Sequence, residues 1–352
     1  MNFKDSKSKT SYGSHEGNSD IENPLISIFK NHREDILTLS YSGGKDSTLL
    51  LLYATDILIK KPNILKKKLH IIYSDTGVEI PEVRKITLDM LDKIESNEEL
   101  KDKVEVHRVR PSIEDNFFVK MIESGYSAPH TRFRWCSRVL KTKPINRAIE
   151  NLKEKGNKVV KILGTRKEES TMRKLNRGAY EIGIEKSKRD IPIYAPLSDL
   201  SSKDVWALLD KFVNSHPLWE ERDMDFLKKI YNISEDFASS QIRHGCWTCT
   251  VISPLRDDRA LTTLTKTLNA PYLLEANKIK KEIWEICNNK KYRKKNPSRF
   301  GGFGGLNKWG KKKIIKLLFK IEKDPELKKL LYNFHSNPRL RKKLQDWFKE
   351  IN

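Results

Sequence analysis

Ser40-Tyr41-Ser42-Gly43-Gly44-Lys45-Asp46-Ser47 joins an apolar run, Ile36-Leu37-Thr38-Leu39, to the segment Thr48-Leu49-Leu50-Leu51-Leu52-Tyr53-Ala54. The run has the continuous apolar character of a strand buried on both faces, and the segment after it reads as a helix. Two glycines at such a junction let the backbone come close to a ligand. The free N–H groups of the helix's first turn then point to one place, which suits an anion. The octapeptide is therefore an expected phosphate site. It is not a Walker A loop, which requires Gly-x-x-x-x-Gly-Lys-Ser/Thr.

Three further segments repeat the strand-then-turn pattern. Leu69 to Asp75 is apolar and closes on Thr76-Gly77, after which Pro81 opens a helix reaching about Leu91. Val104 to Val109 alternates as a third strand, and Lys158 to Leu163 forms a fourth that ends at Gly164. Strands that alternate with helices predict an α/β fold with a parallel sheet and a ligand at the carboxyl ends of the strands. Ser42-Gly43-Gly44, Asp75-Thr76-Gly77 and Gly164-Thr165-Arg166 all fall on that edge. Farther on, Ser201 or Ser202 is a candidate N-cap, with Val205, Leu208, Leu209 and Phe212 at helical spacing.

The chain of 352 residues suffices for one large domain with an appendage. Its composition divides it into a polar arm over 1–24, expected to be disordered, a nucleotide domain over 25–262, and a basic, mainly helical region over 263–352. From Ala276 onward basic residues outnumber acidic ones about three to one, and the whole chain carries a formal charge of +22. Clustered Lys and Arg gain affinity for polyanions by releasing counterions, so a nucleic acid is the expected partner. Trp284, Tyr292, Phe300, Phe303 and Trp309 lie in this region, as stacking platforms for bases or as core residues of a helical appendage. No run approaches the roughly 18–20 apolar residues that span a bilayer, and Met1 to Asp20 lacks the apolar centre of a signal peptide. A cytoplasmic protein without a membrane partner is expected, with its four cysteines reduced.

Those cysteines are too few for a disulfide framework. Cys246-Trp247-Thr248-Cys249 by itself suits a redox pair, half a zinc site or two ligands of an iron–sulfur cluster. Cys136 lies in Arg134-Trp135-Cys136-Ser137-Arg138, where the flanking cations are expected to favour a thiolate. Cys287 shares the apolar side of a helix with Ile279, Ile283 and Ile286, which favours core packing over ligation.

Taken together, the motifs are similar to those of a known superfamily. Ser42-Gly43-Gly44-Lys45-Asp46-Ser47 resembles the PP-loop of the ATP pyrophosphatases, which split ATP into AMP and pyrophosphate to activate a substrate oxygen. Arg134-Trp135-Cys136 with Lys141 and Pro144, then Gly245-Cys246-x-x-Cys249-Thr250, is similar to the [4Fe–4S] pattern of adenylylsulfate reductases. Ser137 stands where those reductases have a second adjacent cysteine. Asp75-Thr76-Gly77…Pro81-Glu82 and Gly164-Thr165-Arg166…Ser170-x-x-Arg173 resemble elements of phosphoadenylylsulfate reductases. The combination, with His244-Gly245-Cys246-Trp247-Thr248-Cys249-Thr250-Val251, looks like the DndC-type family of DNA phosphorothioation.

The resemblance implies an adenine-nucleotide α-hydrolase-like fold and an enzyme that adenylates a DNA backbone phosphate and helps to replace an oxygen by sulfur. It implies ATP, Mg²⁺ and a [4Fe–4S] cluster as cofactors. DNA, a cysteine desulfurase as sulfur donor and other phosphorothioation proteins are the implied partners. Carried over by position, the ATP site takes in Ser40, Ser42, Gly43, Gly44, Lys45, Asp46, Ser47, Asp75, Thr76, Gly77, Gly164 and Arg166. Lys45, Asp46, Arg166 and Arg173 would be catalytic, Asp46 through Mg²⁺. Cys136, Cys246 and Cys249 would hold the cluster, and Cys287 is the remaining candidate for a fourth ligand. The alternatives are a sulfonucleotide reductase, a tRNA-thiolating PP-loop enzyme and a non-catalytic DNA-binding module. The reductases carry a catalytic cysteine near the C-terminus, whereas no thiol follows Cys287.

Overall fold

The structure is a computed structural model that describes residues 21–130, 133–153, 158–169, 191–231, 245–251, 259–295 and 304–350. Five strands make one parallel sheet in the order β3-β2-β1-β4-β5: β1 Ile36–Tyr41, β2 Leu69–Ser74, β3 Val104–Val109, β4 Val159–Leu163 and β5 Ile193–Tyr194. The chain winds outward from β1 through β2 to β3, then returns to the other side of β1 with β4. That reversal opens a crevice at the carboxyl end of β1, where open α/β sheets bind ligands. Register aligns the neighbouring strands there, since Ser40 pairs with both Ile72 and Leu163.

Helix α1, Glu22–Asn31, and helix α2, Lys45–Lys60, pack on one face of the sheet with α3, Pro81–Ser96. Leu49 to Leu52 are all fully buried, so this turn of α2 packs apolar side chains on every side. Asp56 interrupts that apolar run and is neutralised one turn on by Lys60, at 2.7 Å. Helix α4, Phe117–Ile122, and α5, Lys143–Lys153, follow, and α5 covers the other face through Ile149 and Leu152 against Ile36, Ile72 and Val159. Helix α6, Ser202–Phe212, begins with a capping box in which Ser201 Oγ accepts from Asp204 N and Asp204 Oδ2 accepts from Ser201 N. Helix α7 is Glu221–Tyr231.

The basic region supplies α8 Arg259–Thr267, α9 Tyr272–Asn288, α10 Lys308–Lys323, α11 Tyr332–Ser336 and α12 Pro338–Lys349. Ile279, Ile283, Ile314, Leu318 and Trp347 from this region share one core with Val78, Phe118, Trp135 and Val139. The boundary expected at 262/263 is thus a change in composition and not a break in the hydrophobic core. At the other end the described chain is already helical at Glu22, inside the expected polar arm, with Ile21 buried. Helix α3 runs five residues past the expected end at Leu91, to Ser96. No helix among the described residues is long and apolar enough to cross a membrane.

Candidate active site

The octapeptide forms the turn from β1 into α2, with Gly44 extended at the helix N-cap. Gly43 has a φ of +74°, and a Cβ there would stand 2.0 Å from Thr87 Oγ1 of α3, so both backbone and neighbour require glycine. Ser47 Oγ accepts the Ser42 N–H at 3.2 Å, lies 3.0 Å from Ser42 Oγ and donates to the Gly44 carbonyl. These bonds close the loop on itself. Lys45 Nζ donates to Asp46 Oδ2 at 2.8 Å, and Arg166 Nε donates to the other oxygen, Oδ1. Asp46, expected to help hold Mg²⁺, therefore tethers the two cations of the site in this structure.

Arg166 enters from the end of β4 just beyond Gly164 and is buried. Its Nη1 donates to the Leu200 carbonyl and to Glu168, both at 3.1 Å. The hydroxyl of the preceding Thr165 is buried without a hydrogen-bond partner among the described residues. An orphaned hydroxyl beside the loop fits a polar ligand, because leaving it unpaired costs on the order of 1–3 kcal/mol. Tyr231 at the end of α7 accepts the Lys45 N–H at 3.2 Å, and burial pushes its phenol up to about 12. Nothing in the sequence near Tyr231 marks it, since it reaches the loop only through folding. Arg173 and His244 lie outside the described residues.

The second strand end is tied down more heavily. Asp75 is buried and accepts from Arg84 at 2.9 Å, from Arg110 at 3.0 Å and from the Tyr332 hydroxyl at 2.8 Å. Burial alone would raise its carboxyl, but Arg84, Tyr332 and Arg110 outweigh it and hold the pKa below the ordinary aspartate value. Thr76 donates through N and Oγ1 to Glu79 Oε1, at 2.9 and 2.6 Å. Gly77 has a φ of +80° and packs against Asn333 of α11. Glu79, Arg84 and Arg110 were not expected as site residues, although an acid between Asp75 and Pro81 was a local signal for Glu79.

The cysteines converge on this same strand end. Glu79 and Cys246 form an antiparallel bridge, Trp247 N donates to the Val78 carbonyl at 3.0 Å, and Cys249 N closes a turn onto the Cys246 carbonyl. Cys246 Sγ lies 3.5 Å from Thr76 Oγ1. Cys136 immediately precedes a π-helical segment, Ser137–Thr142, of the kind often found at functional sites. Its thiol and that of Cys249 feel one another, and Cys246, Cys136 and Cys249 all act on Lys141. Lys141 is exposed, and Cys246, Glu79, Cys136 and Cys249 hold its pKa above the ordinary lysine value. The fold thus brings Cys136, about 110 residues away in sequence, within electrostatic reach of Lys141 together with Cys246 and Cys249.

The thiolate expected at Cys136 is corrected by the structure. Arg134 and Arg138 are exposed, and burial together with Cys249 raises the Cys136 pKa against the opposing pull of Lys141. Burial likewise pushes Cys246 up to about 12. Cys287 is buried in the core, with Sγ accepting the Ala128 N–H at 3.1 Å. The groups that act on it besides burial are Ala128 and Arg293, not the other thiols. The three grouped thiols, with the buried indole N–H of Trp247 lacking an acceptor among the described residues, fit a sulfur-rich group with thiolate ligands.

Residues 36–252 match the phosphoadenosine phosphosulfate reductase domain family. The chain belongs to that family. Membership places its loop in the PP-loop superfamily, in agreement with the α/β parallel sheet described above. An uncharacterized protein of Methanocaldococcus jannaschii is 32% identical over 195 residues, which are 53% of this chain and 35% of that protein. The chain thus spans about a third of the length of that curated relative. Among solved structures, phosphoadenylyl-sulfate reductase from Candida auris, in a phosphate complex, aligns at 18% identity and a TM-score of 0.39. That alignment covers 62% of this chain and 89% of the reductase.

Proposed function

We propose that this member of the phosphoadenosine phosphosulfate reductase domain family is an ATP pyrophosphatase and sulfurtransferase acting on a DNA backbone phosphate. The supporting observation is the meeting, on adjacent strand ends, of an intact Ser-Gly-Gly-Lys-Asp-Ser loop with three thiols grouped around Lys141. The loop's N–H groups and helix N-terminus bind the β- and γ-phosphates of ATP, and Lys45 and Arg166 stabilise the charge of the leaving pyrophosphate. Both cations have to turn from Asp46 to the phosphates, which frees that carboxylate for the Mg²⁺ of MgATP.

A non-bridging DNA phosphate oxygen attacks the α-phosphorus and forms a phosphoric anhydride to AMP, while the bond to the pyrophosphate oxygen breaks. Persulfide sulfur from a cysteine desulfurase, reduced to hydrosulfide by a dithiol that is itself oxidised to the disulfide, then attacks the DNA phosphorus; the P–O bond to AMP breaks, and AMP departs with the original oxygen. A [4Fe–4S] cluster held by Cys136, Cys246 and Cys249 would supply an open iron that binds sulfur, with Cys287 left in the core on Ala128. With the cluster bound, Lys141 would offset the negative charge of its thiolate ligands. The exposed lysines of α10, Lys308, Lys313 and Lys316, and Trp309 beside them, 66% exposed, suit a nucleic-acid backbone and its bases.

The family match favours one second reading, reduction of a sulfonucleotide. Anaerobically purified protein separates the two. With ATP and DNA it should release pyrophosphate and, with a desulfurase present, incorporate sulfur into the DNA. Release of sulfite from a sulfonucleotide with no pyrophosphate from ATP would replace the proposal by the reductase. Colourless protein would remove the cluster.

A further inference from the structure

The opposite edge of the sheet carries a second group of metal-ligating side chains. His70 is the second residue of β2 and Glu105 the second of β3, so both lie at the strand starts, away from the loop. The parallel ladder sets His70 opposite Glu105 and Ile72 opposite His107. Residues two apart on a strand share a face, so register alone brings His70, Glu105 and His107 to one side of the sheet.

Their donor atoms meet. His70 Nδ1 lies 2.8 Å from His107 Nε2, with the two rings stacked at 5.1 Å. Glu105 puts one oxygen 3.7 Å from that His70 nitrogen and the other 3.4 Å from that His107 nitrogen. One ligand atom from each residue falls within 4.8 Å of the others. We infer that His70, Glu105 and His107 form a site for a divalent transition-metal cation, with zinc as the reference ion.

Two imidazole nitrogens and a carboxylate are a donor set that zinc accepts, with Zn–N and Zn–O near about 2.0–2.2 Å. Tetrahedral geometry at that length needs donors roughly 3.3 Å apart, so the two rings open by about half an ångström while the carboxylate closes in. The ladder holds all three residues on rigid strands, which lowers the ordering cost of binding. His70 is buried, whereas Glu105 is exposed, giving the site a fixed base and a solvent-side entry. His70 and Glu105 also line a cavity of about 470 Å³ shared with Lys66, Lys67, Lys68 and Lys103. Lys66 is paired with Glu34, and Lys68 donates to the Lys101 carbonyl, so these two cations face other partners. An ion here would clamp edge strand β3 to β2.

The test is a metal titration that does not read activity. Full-length protein and three variants, His107→Ala, Glu105→Gln and the triple Cys136→Ser/Cys246→Ser/Cys249→Ser, are stripped with chelator and titrated with Zn²⁺ and then Co²⁺. The cysteine variant should retain about one equivalent, with Co²⁺ ligand-field bands and no thiolate charge-transfer absorption. His107→Ala should lose that equivalent, and Glu105→Gln should bind more weakly. Zn²⁺ should raise the Tm of the cysteine variant, and that increment should be absent once His107→Ala is added to it. Equal zinc content and affinity in wild type, His107→Ala and Glu105→Gln would overturn the site and leave a hydrogen-bonded histidine pair. Failure of the cysteine cluster or of pyrophosphate release would leave this result untouched.

Discussion

The hydroxyl of Tyr332 lies 2.8 Å from Oδ1 of Asp75, across 257 residues of sequence, and 2.7 Å from Oε2 of Glu79. The phenol ring also lies under the Arg84 guanidinium, 4.3 Å from its centroid. One residue of the basic C-terminal region therefore completes the end of β2 at which the cysteines converge. Its single proton serves two buried carboxylates, which without it would repel one another more strongly.

Tyr332→Phe should destabilise the fold by about 1–3 kcal/mol, the cost of leaving buried acceptors short of a donor. It should also weaken nucleotide binding by loosening Asp75-Thr76-Gly77. Denaturant unfolding and nucleotide titration check the two effects, and an unchanged unfolding midpoint would remove Tyr332 from the site.

Gly43→Ala meets two obstacles, a positive φ and an approach of 2.0 Å to Thr87 Oγ1. The expected loss is about 1–3 kcal/mol of stability, with pyrophosphate release abolished because the loop N–H groups lose their aim. Gly43→Ala/Thr87→Ala should recover part of the stability and little of the activity, since only the steric clash is relieved.

His216 sets a stability window in pH. Leu218 N donates to its Nδ1 at 3.1 Å, so the proton is on Nε2, which faces Thr55 Oγ1 at 3.1 Å. Burial lowers its pKa from 6.5 to about 4. Between those values the unfolded chain binds the proton and the folded one does not, so folding weakens as pH falls from 6.5 toward 4. The full span is worth about 3 kcal/mol. Urea unfolding at stepped pH should show that slope, and His216→Gln should flatten it.

Lys313→Gln/Lys316→Gln should weaken DNA binding and reduce the slope of log K against log salt by about 0.7–0.9 for each phosphate that the variant no longer neutralises. Trp309→Ala should cost about 1–3 kcal/mol in binding to single strands without changing that slope. Binding isotherms at several salt concentrations distinguish them, and a flat salt response in wild type would remove the polyanion partner.

Much of the fold was local information. The apolar run before Ser42, the Gly-Gly turn and the repeated strand endings define β1, β2, β3 and β4 and the edge on which a ligand sits, because burial and backbone conformation at those places depend on neighbours in sequence. The Ser201 cap was legible for the same reason. Tyr231 and Tyr332 were not, because a tyrosine gains its role from what it touches, and both touch the site from distant helices. The basic flanks of Cys136 do not set its thiol because adjacent side chains diverge: Arg134 and Arg138 face solvent, while burial raises the Cys136 pKa.

The sequence by itself determined the loop, the parallel sheet and the PP-loop superfamily, since each rests on a contiguous motif or period. Only the tertiary structure decided that Asp46 holds Lys45 and Arg166, that Cys136 joins Cys246 and Cys249 around Lys141, and that the basic region shares a core with the residues behind the cysteine site. Those facts depend on pairings closed over long loops, where packing and charge, not local propensity, choose the partners.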